Sequence, residues 1–275
     1  MIRLIAIDID GTLLDSRHQI PAANIDALAE AASRGIAIVL ATGRNYHFTT
    51  PVARQLPVPL TFICNNGACV KDGTGATLKR RVMDQSVARA ILDVTADFDD
   101  SVAVVFDRAD DRHILYDRMD WSHQHRKGYY AKNEPFIHVH RPLADALVED
   151  PIQVMFNGSV APMRRLVGRL HSMPEADRFT VAVTEYEPRD FSLIDVNGPG
   201  TSKGSMLAEW AAASGLDRRE VMAVGDNLND VEMLEYAGAP VLMGNATAAL
   251  KARGFPVTGT NDDAGLAQAI RRLFV

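Results

Sequence analysis

A chain of 275 residues is long enough for about two domains of ordinary size, each with its own core. Its apolar fraction of 47% and charged fraction of 23% are those of a folded globular protein, and its net charge of -6 argues against nucleic acid as a partner, because such binding relies on Lys and Arg to neutralise phosphates. No apolar run approaches the roughly 18 residues of a membrane helix, so no membrane partner is expected. Acids at positions 8 and 10 interrupt any hydrophobic leader, which argues against a signal peptide and leaves a cytoplasmic location as the expectation. The two cysteines, Cys64 and Cys69, show neither zinc-site nor redox spacing and are expected as reduced thiols in or near the core.

The chain opens on an apolar run, residues 1–7, that ends in Asp8-Ile9-Asp10-Gly11-Thr12. So apolar a run reads as a strand buried on both faces, whose carboxyl end presents polar groups to a ligand in an open parallel sheet. Residues 24–33 read as a helix closed by Gly35, and residues 36–41 as a second buried strand ending in Thr42-Gly43-Arg44. A third strand is expected over 60–64, then a hairpin of 68–71 with 77–79 around Asp72-Gly73-Thr74-Gly75. After Met83 the pattern restarts with a helix over 85–98 and strands over 101–106 and 113–116, joined through an acidic turn at 108–112. A strand over 152–157, a helix over 161–171 and strands over 179–184 and 191–196 follow. Thr201-Ser202-Lys203-Gly204 then precedes a helix-forming stretch, and residues 221–225 form a strand ending in Asp226-Asn227-Leu228-Asn229-Asp230.

Two features mark the middle of the chain as an insertion. It separates Thr42 from Lys203 by roughly 160 positions, far more than the dozen or so residues one crossover connection needs. Its strands come in adjacent pairs, as in an antiparallel sheet, whereas strand and helix alternate on either side. The expected fold class is α/β, a doubly wound and mainly parallel Rossmann-like sheet, with an inserted α+β module. The boundaries are set at 1–81 with 189–275 for the core and 82–188 for the insertion.

Two acids two residues apart at a strand end suggest metal chemistry, although Asp and Gly are also common where a strand merely turns. An aspartate can accept a phosphoryl group when a divalent cation cancels the repulsion between its charge and the phosphate, and a second acid can then handle protons. Four motifs, Asp8-Ile9-Asp10-Gly11-Thr12, Ala41-Thr42-Gly43-Arg44, Ser202-Lys203-Gly204 and Gly225-Asp226-Asn227-Leu228-Asn229-Asp230, occur in one order across nearly the whole chain. In this the sequence resembles the haloacid dehalogenase superfamily of phosphatases, and within it the Cof-type branch. Ile63-Cys64-Asn65-Asn66-Gly67-Ala68 is similar to a further signature of that branch.

The resemblance implies a role for each motif. Asp8 corresponds to the nucleophile and to a magnesium ligand, and Asp10 to the general acid and base, its main-chain carbonyl being a further ligand of Mg2+. The amide of Ile9, the hydroxyl of Thr42 and the amide of Gly43 correspond to groups that hold phosphoryl oxygens; Thr42 could equally cap the helix that follows. Lys203 would neutralise charge on the nucleophile and the transferring group, and Asp226 would complete the magnesium site. Asn229 would contact phosphate, and Asp230 would orient the lysine or a metal-bound water from behind, although an acidic loop of this kind also suits a helix start. Arg44 either reaches substrate or lies on a solvated face. The inserted module corresponds to a cap over the active site that opens and closes and sets specificity.

The expected activity is therefore a magnesium-dependent hydrolase that releases inorganic phosphate from a small phosphorylated metabolite, a sugar phosphate or a cofactor or flavin-precursor phosphate, through phospho-Asp8. A phosphotransferase or phosphomutase would use the same intermediate. A receiver-type signalling domain fits poorly, because here the candidate acceptor closes the first strand and an insertion interrupts the chain. The intact acids and lysine give no support to a binding protein that has lost catalysis. Within the insertion, His113, His123, His125, His138 and His140 fit no standard zinc spacing and read as solvated or substrate-lining, and at least two of Trp121, Tyr129 and Tyr130 are expected in its core. His123, Arg126 and Tyr130 are candidates for contact with the leaving group.

Overall fold

The computed structural model describes residues 1–108, 112–122 and 124–274. Residues 109–111 of the expected acidic turn, and His123, lie outside the described residues. The chain divides into two compact units, Met1–Lys79 with Ser202–Val275, and Arg80–Thr201. In chain order the strands are β1 (Leu4–Ile7), β2 (Ala37–Ala41), β3 (Leu60–Cys64), β4 (Cys69–Lys71) and β5 (Thr77–Arg80). There follow β6 (Val102–Val105), β7 (Ile114–Tyr116), β8 (Ile137–Val139), β9 (Gln153–Gly158), β10 (Thr180–Tyr186) and β11 (Phe191–Asn197), and lastly β12 (Val221–Gly225) and β13 (Ala239–Leu242).

The first unit holds a sheet of order β13-β12-β1-β2-β3-β4-β5. Its run from β13 to β3 is parallel, and β4 turns back antiparallel on β3. The apolar runs explain why this sheet is covered on both faces. Side chains alternate along a strand, so Ile5 and Ile7 of β1 enter one hydrophobic layer with Ile38, Leu40, Met222 and Val224, while Leu4 and Ala6 enter the opposite layer with Val39, Ala41 and Ala223. The first layer packs under the helices Ala22–Ser33, Tyr46–Ala53 and Gly265–Arg271, the second under Lys203–Ala213 and Val231–Tyr236. This is the doubly wound α/β arrangement expected from the sequence. Cys64 and Cys69 face each other across β3 and β4, and both are buried.

The second unit is built on a sheet of order β10-β11-β9-β6-β7-β8, antiparallel throughout except where β8 runs parallel to β7. Val104, Val154, Phe156, Ile194 and Val196 pack one of its faces against Ile91 of helix Gln85–Val94 and Leu166 of helix Val160–His171. The helix expected over 85–98 stops at Val94, where the Thr95 hydroxyl bonds back to the Ile91 carbonyl at 2.7 Å and a short 3-10 turn, Ala96–Phe98, follows. The return to the first unit comes later than the expected boundary at Pro188. A tight turn with Asp190 in the left-handed region (φ 45°) folds β11 back on β10 in register from Tyr186 with Phe191 to Thr180 with Asn197, and β11 pairs on its other edge with β9. Ile194 and Val196 thereby serve the second core, and the chain leaves this unit only after Gly198-Pro199-Gly200.

Candidate active site

Parallel pairing carries three of the sequence motifs to one edge of the first sheet. β1 lies between β12 and β2, so the residues that follow them, Asp8, Asp226 and Thr42, leave the sheet at its carboxyl edge, where the strand order reverses. The Asp8 amide extends the ladder by donating to the Val224 carbonyl at 3.0 Å. The next residues then coil tightly, Leu13 donating to the Asp8 carbonyl at 3.1 Å and Leu14 to that of Ile9 at 3.0 Å. Gly11 permits this coil: its φ is +88°, and a Cβ there would lie 2.3 Å from Oδ2 of Asp226. Ile9 buries its side chain fully in the core, which leaves its main chain to serve the site.

Lys203 is the first residue of helix Lys203–Ala213, whose start is fixed by a reciprocal cap between Ser202 and Ser205. Its fully buried ammonium donates to Oδ1 of Asp8 at 2.6 Å and to Oδ1 of Asp230 at 2.7 Å. Burial alone would lower the lysine's proton affinity, but the two carboxylates, Asp230 and then Asp8, raise it. Asp230 is fully committed, since its Oδ2 accepts the amides of Asp226 at 2.9 Å and Asn227 at 3.0 Å. It therefore anchors the 226–230 loop to the lysine.

Asp8, Asp226 and Asp230 each offer an oxygen within 4.8 Å of the others. The crowding raises the proton affinity of Asp8 and Asp226. Burial and the Asp230 charge push Asp8 up to about 7 against the pull of Lys203, and burial with the charges of Asp8 and Asp230 holds Asp226 well above the usual carboxylate range. With Asp230 committed to Lys203 and the loop amides, Asp8 and Asp226 are the carboxylates that a cation would share. Such an oxygen-only set suits a hard divalent ion. Asp226 is steadied by two residues that sequence reasoning did not single out, the Thr12 hydroxyl at 3.2 Å and Asn245 Nδ2 at 3.3 Å.

Asp10 points elsewhere. Arg44 clasps it with Nε to Oδ2 at 2.7 Å and a terminal nitrogen to Oδ1 at 2.5 Å. Burial would raise Asp10, but the bonds and charge of Arg44 outweigh it and hold the carboxyl below its usual range. Arg44 is thus neither on a solvated face nor left to substrate alone. The Thr42 hydroxyl accepts the Arg44 amide at 3.1 Å, and the following helix, Tyr46–Ala53, is capped by Asn45 and not by Thr42. Asn229 donates from Nδ2 to Oδ1 of Asn66 at 2.9 Å, so the Asn65-Asn66-Gly67 turn also belongs to the site. Its signal in the sequence was a run of the residue types that best tolerate left-handed backbone.

Of the candidates in the second unit, Arg126 serves the unit's own frame and not a substrate. Arg126 is buried, with its guanidinium on the side chain and carbonyl of Asn157 and on the Asp100 carbonyl. Trp121 packs between Tyr116, edge to face with ring centroids 5.2 Å apart, and Tyr130, tilted at 4.6 Å. His113 lies buried with Nδ1 3.3 Å from the Phe106 carbonyl, and among the described residues no histidine joins a metal-binding cluster.

The sequence profile of the haloacid dehalogenase-like hydrolases matches residues 5–270. The pyridoxal phosphate phosphatase YbhA of Escherichia coli is 29% identical, with 98% of this chain and 97% of the relative covered. The 5-amino-6-(5-phospho-D-ribitylamino)uracil phosphatase YcsE of Bacillus subtilis is 27% identical, with 98% and 95% covered. A solved structure of a haloacid dehalogenase-like hydrolase from B. subtilis superposes with a TM-score of 0.83 at 25% identity, covering 99% of this chain and all of that one. With four motifs converging at one sheet edge, the chain belongs to the haloacid dehalogenase-like hydrolase family, in its Cof-type branch. It is an enzyme of that family's phosphatase class.

Proposed function

We propose that this enzyme is a magnesium-dependent hydrolase of small phosphorylated metabolites and works through a phospho-aspartate at Asp8. The observation that carries this reading is the buried Lys203 ammonium shared between Asp8 and Asp230. A fixed cation beside Asp8 stabilises the carboxylate as a nucleophile and meets the charge that builds on the transferring group. Asp8 and Asp226, with the main-chain carbonyl of Asp10, would hold Mg2+, which when bound supplies the positive charge that lets an anionic nucleophile approach an anionic ester.

An Asp8 oxygen attacks phosphorus in line, the ester P–O bond breaks, and Asp10 gives its proton to the departing oxygen. Asp10 then takes a proton from water as that water attacks the phospho-aspartate, breaking the Asp8–phosphorus bond and releasing inorganic phosphate. Arg44 orients Asp10 for both transfers and favours the base form needed in the second, so the proton given in the first is one that Asp10 takes up from solvent as substrate binds. The amides of Ile9 and Gly43, the Thr42 hydroxyl and Asn229 would hold the phosphoryl oxygens, and Asp230 keeps Lys203 in place.

Substrates of the relatives' kind, a cofactor or flavin-precursor phosphate, or a sugar phosphate, fit this chemistry. The unit Arg80–Thr201 supplies none of these groups, and we assign to it the choice of leaving group. Rapid acid quench with a labelled phosphoester in Mg2+ tests the reading: an acyl phosphate should be trapped on Asp8. Release of phosphate with no label on Asp8 would point to direct attack by water instead.

A further inference from the structure

The Asn65–Gly67 turn between β3 and β4 carries three successive residues in the left-handed region, with φ of 51° at Asn65, 53° at Asn66 and 100° at Gly67. Two of these are not glycine, and such backbone costs on the order of 1 kcal/mol or more per residue, so the surroundings must impose it. A shorter or Gly-rich link would join the two antiparallel strands with less strain. The turn is also buried, with Asn65 5% and Asn66 1% exposed, although hairpin turns ordinarily face solvent.

What the strain achieves is a clamp on three loops. The Asn65 amide donates to the Arg44 carbonyl and the Asn66 amide to the Thr42 carbonyl, both at 3.0 Å, so the turn grips the main chain on either side of Gly43. The Asn66 carboxamide lies flat against Gly43, where a Cβ would meet its Nδ2 at 3.1 Å and its Oδ1 at 3.3 Å. That Oδ1 also accepts Nδ2 of Asn229 at 2.9 Å. Gly67 lies so close to the entry of the lysine helix that a Cβ would stand 2.1 Å from the Ser202 carbonyl. Two groups assigned above to the phosphoryl oxygens, the Gly43 amide and Asn229, come from loops almost two hundred positions apart. One side chain lies against Gly43 and bonds Asn229.

We infer that Asn66 is a positioning residue for the phosphoryl group, resting on the function proposed above: its carboxamide sets the distance and direction between the Gly43 amide and Asn229. An amide nitrogen carries two protons. Oδ1 of Asn66 takes one proton of Asn229 Nδ2 and so aims the other. Without that acceptor the Asn229 carboxamide can rotate, and an oxygen can turn toward the anion in place of a donor.

Asn66→Gly separates this role from the needs of the turn, because glycine accepts φ near +53° and removes only the carboxamide. Inorganic phosphate serves as the probe, through competitive inhibition of aryl-phosphate hydrolysis in Mg2+ and through calorimetric binding. The glycine variant should bind phosphate about tenfold more weakly and lose kcat by a comparable factor, and its unfolding midpoint should stay near that of the wild type. In a double-mutant cycle with Asn229→Ala, the double variant should be no worse than Asn229→Ala alone, since Asn66 acts through Asn229. Additive losses, or a glycine variant that binds phosphate as the wild type does, would overturn the assignment while leaving the proposed hydrolysis intact. A wild type that neither binds phosphate nor cleaves phosphoesters would overturn both. Asn66→Ala gives a second measure: it should show the same cycle with Asn229→Ala together with a lower unfolding midpoint, because alanine also strains the turn.

Discussion

Arg44 holds Asp10 through two parallel hydrogen bonds, 2.7 and 2.5 Å long, while its guanidinium stacks 4.5 Å above the Phe48 ring. A planar fork is the group that can orient a carboxylate in this way; an ammonium offers a point charge on a mobile stem. Arg44→Lys should therefore keep the charge and lose the orientation. The expected outcome is a kcat reduced by about 10- to 100-fold with a KM for an aryl phosphate changed much less, because the proposed role of Asp10 is to handle protons and not to bind the ester. Steady-state kinetics on the purified variant checks this. A raised KM at unchanged kcat would place Arg44 on the substrate instead.

Asp8 and Asp230 share the Lys203 ammonium but should answer differently to the same substitution. Asp8→Asn removes one of three crowded carboxylates and leaves Lys203 paired with Asp230, so turnover should vanish with stability within about 1 kcal/mol of the wild type. In Asp230 both oxygens accept, Oδ1 from Lys203 and Oδ2 from two amides. An asparagine there must turn a donor toward other donors whichever way its amide is set. Asp230→Asn should lose about 3 kcal/mol as well as activity. Urea denaturation followed by circular dichroism measures both, and equal losses would contradict the arrangement.

The raised proton affinities of Asp8 and Asp226 record burial first and then repulsion among the acids, and a bound cation would offset both. Mg2+ at about 100 times its dissociation constant should then stabilise the protein by ~2.7 kcal/mol, and chelation should remove both that increment and the activity. Asp226→Ala should abolish the stabilisation and raise the metal requirement greatly. Full activity of the chelated wild type, or an unchanged Mg2+ effect in the variant, would exclude these residues as the metal site.

The parts of the molecule legible in the sequence are those where one strong signal acts alone. β1, β2 and β12 are continuous apolar runs ended by polar residues, and both their burial and the gathering of Asp8, Thr42 and Asp226 follow from parallel pairing. Harder to read were elements whose stability comes from contacts distant in sequence. Helix Gln124–Asn133 is mostly polar, and neither it nor the three-residue β8 was anticipated. The boundary set at Pro188 failed because Phe191–Asn197 is as apolar as a core strand, and only its pairing with β10 and β9 reveals which sheet it joins. Asn245 went unread, and Asn66, although it lies within the Ile63–Ala68 signature, carried no role, for a related reason: a short amide side chain shows nothing of its partner until the loops that carry Asn229 and Asp226 are folded beside it.

The division of labour between the two units can be tested by exchange. Every group assigned to chemistry lies in Met1–Lys79 and Ser202–Val275. Replacing Arg80–Thr201 by the corresponding segment of a relative with a known substrate should therefore re-rank natural phosphoesters and leave turnover of an activated aryl phosphate within about tenfold. Single substitutions within the unit should divide by the company each side chain keeps. Arg126 spends its donors on Asn157 and on the Asp100 carbonyl, so Arg126→Ala should leave buried acceptors unpaired and cost about 2 to 4 kcal/mol of stability without a change of ranking. His123 and Tyr130 remain the candidates for leaving-group contact, each lost contact shifting the ranking by about 1 to 3 kcal/mol. Specificity constants measured over one set of phosphorylated metabolites, for the wild type, the exchange and the single variants, decide the matter. If the exchanged protein folds and keeps the original ranking, selection of the leaving group belongs to the catalytic unit and not to Arg80–Thr201.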